Sequence, residues 1–159
     1  MSSTPAPIEA IRSYYGNEPK MSDWFTVEQE AINRFGIATA DSDWLHTDPE
    51  RAAKDSPYGG TIAFGFWTIS MLTYFSRQTF GEDYPPGALY GLNYGFDKLR
   101  LLAPVRVGKR IRNEGKLTGI EDRGGNRYLV KTENTIHIEG EEKPAMVAEW
   151  LFLLVYPNQ

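Results

Sequence analysis

The sequence predicts an α+β domain in which a curved antiparallel sheet of five to six strands wraps a long central helix. Three observations carry that reading. From Ile62 onward, Phe64, Phe66, Trp67, Ile69, Met71, Leu72 and Phe75 run around nearly the whole helical wheel, as in a helix enclosed by other structure. Beyond Gly87 the pattern changes to four strand-like segments, residues 89–101, 109–121, 127–138 and 145–155. Helical patterns are confined to the part of the chain before them.

Residues 1–7 are small, polar and proline-containing, and read as a frayed end. Residues 8–15 suit a short helix ended by Gly16, Asn17 and Pro19. Trp24 and Phe25 mark residues 22–26 as a short strand. In Thr26-Val27-Glu28-Gln29 a hydroxyl residue precedes Gln by three positions, the order of a capping box, where two side chains satisfy backbone donors at a helix start. The helix that follows has Ile32, Phe35 and Ile37 as its apolar side and stops at Gly36 or soon after. A polar loop from Asp41 to His46 leads to Thr47 or Asp48 as a cap. Pro49 then takes the first helical position, where its missing N–H costs nothing, in a short helix to Ala53. Ser56-Pro57-Tyr58-Gly59-Gly60 breaks that helix. The central helix begins at Ile62; roughly fifteen residues at 1.5 Å each make a rod of about 22 Å.

Ala103-Pro104, Arg123-Gly124-Gly125-Asn126 and Glu139-Gly140-Glu141-Glu142 separate the strand-like segments, and the last two are hairpin signals that imply antiparallel pairing. Along 127–138, Val130, Thr132, Asn134, Ile136 and Ile138 share one face, while Lys131, Glu133, Thr135 and His137 share the other. One face is therefore covered and the other wetter.

At 159 residues the chain fits one domain, 1–159, with a single core. A net charge of −4 argues against a nucleic-acid binder, whose surface would be clustered and basic. The absence of cysteine excludes disulfides, thiolate metal sites and cysteine nucleophiles, and suits the reducing cytoplasm. The first ten residues lack the basic and apolar blocks of a secretory signal. The apolar run around Phe66 falls short of the roughly twenty residues that span a membrane.

The chemistry points to the loop before the central helix. Asp41 stands five residues ahead of His46, one of two histidines in the chain. Histidine exchanges protons near neutral pH, and an aspartate beside it can hold its charge state or share the work on a water molecule. The spacing is not helical, so the loop has to bring the two together; a solvated loop with a structural histidine is the other reading. His137 lies on the polar face of a strand and reads as surface, and Asp48 and Glu50 as charges that complement a helix start. Phe64, Phe66, Trp67, Met71, Leu72 and Phe75 are core positions first, with the wall of an acyl pocket as the alternative. No Gly-rich phosphate loop, serine elbow or metal-ligand cluster is present.

Over residues 20–155 the chain resembles the MaoC-like dehydratase family, and within it the NodN-like branch of (R)-specific enoyl-CoA hydratases. The resemblance rests on Thr39-Ala40-Asp41-Ser42-Asp43-Trp44-Leu45-His46-Thr47-Asp48-Pro49-Glu50-Arg51-Ala52-Ala53 and Tyr58-Gly59-Gly60-Thr61-Ile62-Ala63-Phe64-Gly65-Phe66. It continues through Gly91-Leu92-Asn93-Tyr94-Gly95-Phe96-Asp97-Lys98-Leu99-Arg100, Ala103-Pro104-Val105-Arg106-Val107-Gly108 and Lys143-Pro144-Ala145-Met146-Val147-Ala148-Glu149-Trp150. It implies a hot-dog fold, a homodimer with acyl-thioester sites near the subunit interface, and no cofactor, the coenzyme A thioester being the substrate. By position it implies Asp41 and His46 as the catalytic pair that adds water to a trans-2-enoyl thioester. The Gly65 N–H would donate to the thioester oxygen, and Thr73 would place a hydroxyl near the site.

The family often has Gly where this chain has Ala40, Asn where it has Asp43, and His where it has Phe64. Asp43 and Phe64 are therefore carried as substrate-facing positions whose chemistry has changed. These departures keep open a catalytically weak acyl-CoA-binding protein, and a hot-dog thioesterase is a second enzyme alternative. Arg100, Arg106, Lys109, Arg110 and Arg112 either meet coenzyme A phosphates at an exposed edge or form a solvated strand face.

Overall fold

A computed structural model describes residues 6–158. In chain order its elements are α1 (Pro7–Tyr15), β1 (Lys20–Met21), β2 (Phe25–Thr26), α2 (Gln29–Thr39), α3 (Trp44–Thr47), α4 (Pro49–Asp55), α5 (Gly65–Ser70), α6 (Leu72–Phe80), β3 (Tyr90–Leu101), β4 (Arg110–Asp122), β5 (Arg127–Ile138) and β6 (Met146–Val155). The expected frayed end lies outside the described residues for positions 1–5, and Pro7 already opens α1.

The four long strands fall where the sequence places them, in one antiparallel sheet of order β1-β4-β5-β6-β3, with β2 also on β4. Alternation along β5 sends Val130, Thr132, Asn134, Ile136 and Ile138 to the buried face. The early strand is two short pieces rather than one. Ser22 interrupts it because its hydroxyl accepts the Asn113 N–H at 2.9 Å, a ladder position that a backbone carbonyl would otherwise fill.

The Thr26 capping box does not form. Glu28 is the N-cap of α2, no side chain caps it, and Gln29 turns instead toward the loop ahead. α2 stops soon after Gly36 rather than at it. Gly36 is buried inside the helix, which runs to Thr39; Ile32 faces the core while Ile37 is 82% exposed. The stop is Ala40 in the left-handed region, φ 56° and ψ 33°, after which the Asp41 N–H reaches back to the Gly36 carbonyl at 2.9 Å.

The central helix differs most from expectation. Residues 61–64 are extended: Ile62 bridges to Arg106, and the Ala63 N–H donates to the Val105 carbonyl at 2.8 Å. The helix begins at Gly65 and breaks at Met71. Thr68, Ser70 and Thr73 aim hydroxyls at the carbonyls of Phe64, Phe66 and Ser70, and such back-bonding competes with the helical ladder. Trp67, Leu72 and Phe75 pack into a core with Val130, Ile136, Trp150 and Leu154, each fully buried aliphatic or aromatic side chain contributing about 1.5–3 kcal/mol. Phe66, by contrast, is 77% exposed, so this chain's sheet covers one side of the helix only. No helix among the described residues is long and apolar enough to cross a membrane.

An L-residue in the left-handed region carries a steric cost that glycine avoids, so Ala40→Gly is expected to stabilise the protein by about 1 kcal/mol. Thermal melts should show Tm rising by about 2–4 °C, and an unchanged or lower Tm would contradict the capping account.

Candidate active site

The second half of the stretch expected as a polar loop is folded into α3. Asp41 Oδ1 accepts the Asp43 N–H at 3.1 Å, and Asp43 Oδ1 accepts the Leu45 N–H at 2.8 Å as the N-cap of α3. These local bonds turn the chain twice within a few residues and place His46 on the inner side of the turn. Asp48 then caps α4 by accepting the Arg51 N–H, with Pro49 following it as expected.

His46 is half-buried and held from three directions. Its Nδ1–H donates to the Ile62 carbonyl at 2.8 Å. A carbonyl can only accept, so this contact puts the proton of the neutral imidazole on Nδ1 and leaves Nε2 with a free lone pair. The ring of Phe64 lies 4.0 Å from the imidazole, centroid to centroid, tilted by 32°. The His46 backbone carbonyl accepts from the Gln29 side-chain amide at 2.7 Å. The imidazole lines a cavity of about 220 Å³ with Ile62, Ala63, Gly65, Thr68, Leu101 and Ala145 among its walls. A single titratable group facing largely apolar walls suits proton exchange with an apolar ligand.

Gly65 shares that cavity as the first residue of α5, so its N–H precedes the helical hydrogen-bond ladder. A Cβ there would meet Leu101 Cδ1 at 2.5 Å, so that half-exposed side chain would have to turn aside for any larger residue. Phe64 is buried behind the imidazole, against Phe35, and supports the histidine rather than lining its cavity. Asp41 is exposed and opens onto a neighbouring concavity of about 430 Å³ with Asn33, Gly36, Ile37 and Thr47. Among the described residues no hydrogen bond joins Asp41 to His46. Asp43 is occupied as a cap. Thr73 sits beyond the break at Met71, beside Asn93 and Trp150, away from the His46 cavity. In the adjoining hollow burial pushes the phenols of Tyr14 and Tyr15 up, with Asp83 and Glu82 adding to the effect on Tyr14, so both remain neutral donors.

His137 is not simply solvated: its Nε2 lies 2.9 Å from Glu114 Oε2. The basic residues find partners on this chain. Arg106 donates to the Gly59 carbonyl, Arg110 pairs with Glu139, Arg112 stacks 4.3 Å over Trp24, and Lys109 lies 3.9 Å from Glu141. Among the described residues no cluster of three or more His, Asp or Glu side chains could hold a metal ion.

Two residues of the site escape sequence reasoning. Gln29 reads as part of a helix cap and Gly36 as a helix stop; only the packed loop gives them their places. A Cβ on Gly36 would stand 2.6 Å from the Asp41 carbonyl oxygen and 3.2 Å from the Phe64 ring.

A family model for the MaoC like domain matches residues 11–140. Nodulation protein N from Rhizobium leguminosarum bv. viciae is 39% identical over 149 residues, 93% of this chain and 91% of that protein. The 3-hydroxyacyl-thioester dehydratase Z of Mycobacterium tuberculosis is 42% identical over 134 residues, 84% of this chain and 86% of its own. In structure the chain is similar to a monoamine oxidase regulatory protein from Archaeoglobus, with TM-score 0.76 and 24% identity over 92% of this chain and 95% of that one. The (R)-hydratase from A. caviae involved in PHA biosynthesis aligns with TM-score 0.68 and 18% identity over 89% and 96%.

Because the Asp41 backbone oxygen is not free to move away from α2, Gly36→Ala is expected to cost about 2 kcal/mol through overpacking. Tm should fall by about 4–8 °C, with NMR amide shifts concentrated in residues 41–47. Small shifts spread evenly over the chain would contradict this role for Gly36.

Proposed function

This chain belongs to the MaoC-like dehydratase family, and on that footing we propose that it is an (R)-specific enoyl-CoA hydratase, or 3-hydroxyacyl-thioester dehydratase, acting on trans-2-enoyl-CoA. Its fold is the hot-dog fold, an antiparallel sheet curled over a helix, here broken at Met71. The observation that carries the proposal is the state of His46: Nδ1 engaged with the Ile62 carbonyl, and Nε2 left as the base in an apolar cavity that it shares with Gly65.

In the hydration direction a water oxygen bonds to C3 of the enoyl thioester while His46 Nε2 takes its proton. The C2–C3 π pair moves toward the thioester carbonyl, and the Gly65 N–H donates to the oxygen on which negative charge develops. A proton delivered to C2 completes the (R)-3-hydroxyacyl product. Asp41 is the proposed partner in these proton transfers, standing on the same turn as His46. Asp43 shapes that turn, Phe64 backs the imidazole, and Thr73 belongs to the more distant wall along β3. The thioester is the substrate and no cofactor takes part.

We further assign the protein as a cytoplasmic homodimer. The outer edge of β3 pairs with no strand among the described residues, and Leu92, Tyr94 and Phe96 are exposed along it together with Phe66. A second copy laid along that edge would supply the cover that the helix lacks on this chain.

Loss of the ultraviolet absorbance of crotonyl-CoA measures hydration directly. His46→Ala and Asp41→Asn should each lower kcat by about 100- to 10,000-fold, with Tm close to that of the wild type. Equal rates in all three proteins would overturn the assigned roles. Acyl-CoA that raises Tm without turnover would favour a binding protein, and release of free thiol a thioesterase.

A further inference from the structure

We infer that Gln29 is a positioning residue that fixes the tautomer of His46, acting as a clamp between the turn that carries the imidazole and the segment that supplies its acceptor. The inference deepens the reading of His46 as the base of the hydration reaction and rests on it for its kinetic part only.

Gln29 is the first residue of α2, and its side chain spans two other parts of the fold. Its Nε2 donates to the His46 carbonyl at 2.7 Å and to Asn33 Oδ1 at 2.9 Å, while its Oε1 accepts from the buried Thr61 hydroxyl at 2.5 Å. The partners settle which way the amide points. A backbone carbonyl can only accept, so the flipped amide would set two oxygens against each other at His46. Both N–H groups are thereby used, and neither can be exchanged for water without loss in a half-buried place.

The geometry matters because Thr61 immediately precedes Ile62, the residue whose carbonyl takes the His46 Nδ1–H. Gln29 thus grips both ends of the contact that holds the proton on Nδ1. It acts on the residue bearing the imidazole and on the neighbour of the acceptor, and the Ile62 N–H to Leu45 carbonyl bond at 3.2 Å closes the same loop. Without the clamp these two segments are joined only by that longer bond, the Phe64 stack, which leaves the tautomer open, and the imidazole contact. The ring is then free to adopt the Nε2–H form, which has no lone pair facing the cavity and is inert as a base there.

The chain holds two histidines, so a long-range ¹⁵N–¹H spectrum of the imidazoles resolves each, with His137 as an internal control. Taken above the titration range, the wild type should show His46 protonated at Nδ1. Gln29→Leu, close in size but without donors or acceptor, should move His46 to a mixture dominated by Nε2–H and leave His137 unchanged. Thr61→Val should act in the same direction, while Thr61→Ser, which keeps the hydroxyl, should restore the wild-type spectrum. In the crotonyl-CoA assay Gln29→Leu should lower kcat by about 10- to 100-fold, with KM within about twofold because ground-state binding is untouched. An Nε2–H tautomer in the wild type, or no tautomer change in either Gln29→Leu or Thr61→Val, overturns the clamp. Absence of turnover in the wild type together with the expected tautomer changes overturns the hydratase reading and supports the clamp.

Discussion

The hydrogen bond from His46 Nδ1 to the Ile62 carbonyl, at 2.8 Å, is the contact on which the site depends. A free imidazole in water exchanges between two tautomers; one bound at Nδ1 to a fixed acceptor does not. The acceptor is fixed because residues 61–63 run extended beside residues 105–107, through the Ala63 N–H to Val105 carbonyl and Val107 N–H to Thr61 carbonyl bonds at 2.8 and 3.0 Å. The histidine is fixed because Asp43 winds the turn that carries it and Phe64 stacks against its ring. Rigid backbone on both sides of one contact keeps a weakly basic side chain ready in a largely apolar cavity.

The sheet was legible in the sequence because strand alternation is local: the faces of β5 can be read from residues 130 to 138 without knowing what covers them. The Asp48–Pro49 helix start was legible for the same reason. What escaped depended on distance along the chain. His46 and Ile62 lie sixteen positions apart, and Gln29 and Thr61 thirty-two, with no periodic pattern to join them. Gly36 marks the approach of the helix end in the sequence, but the space it leaves for a carbonyl oxygen shows only in the fold. The loop was required to bring Asp41 and His46 together, yet they open onto separate concavities and share no hydrogen bond among the described residues.

The central helix shows the limit of a helical wheel. An apolar wheel says that each side chain prefers cover, but it does not say whose. Trp67, Leu72 and Phe75 find it in this chain's sheet, and Phe66 does not. The exposed apolar edge of β3 lies in the same condition, and an uncovered strand edge of twelve residues would be an aggregation hazard in a monomer. One association that covers edge and helix together accounts for both, which is why the proposed second copy and the broken, half-covered helix belong to one description. The hydroxyls that break the helix at Met71 also separate the Gly65 end, next to His46, from the Thr73 end.

The account is tested most directly by the product formed from trans-2-enoyl-CoA in D₂O, analysed for chirality at C3 and deuterium at C2. It predicts the (R)-3-hydroxyacyl-CoA carrying a single deuterium at C2, with the thioester intact. An (S) or racemic alcohol, free coenzyme A, or recovered enoyl-CoA alone would contradict it.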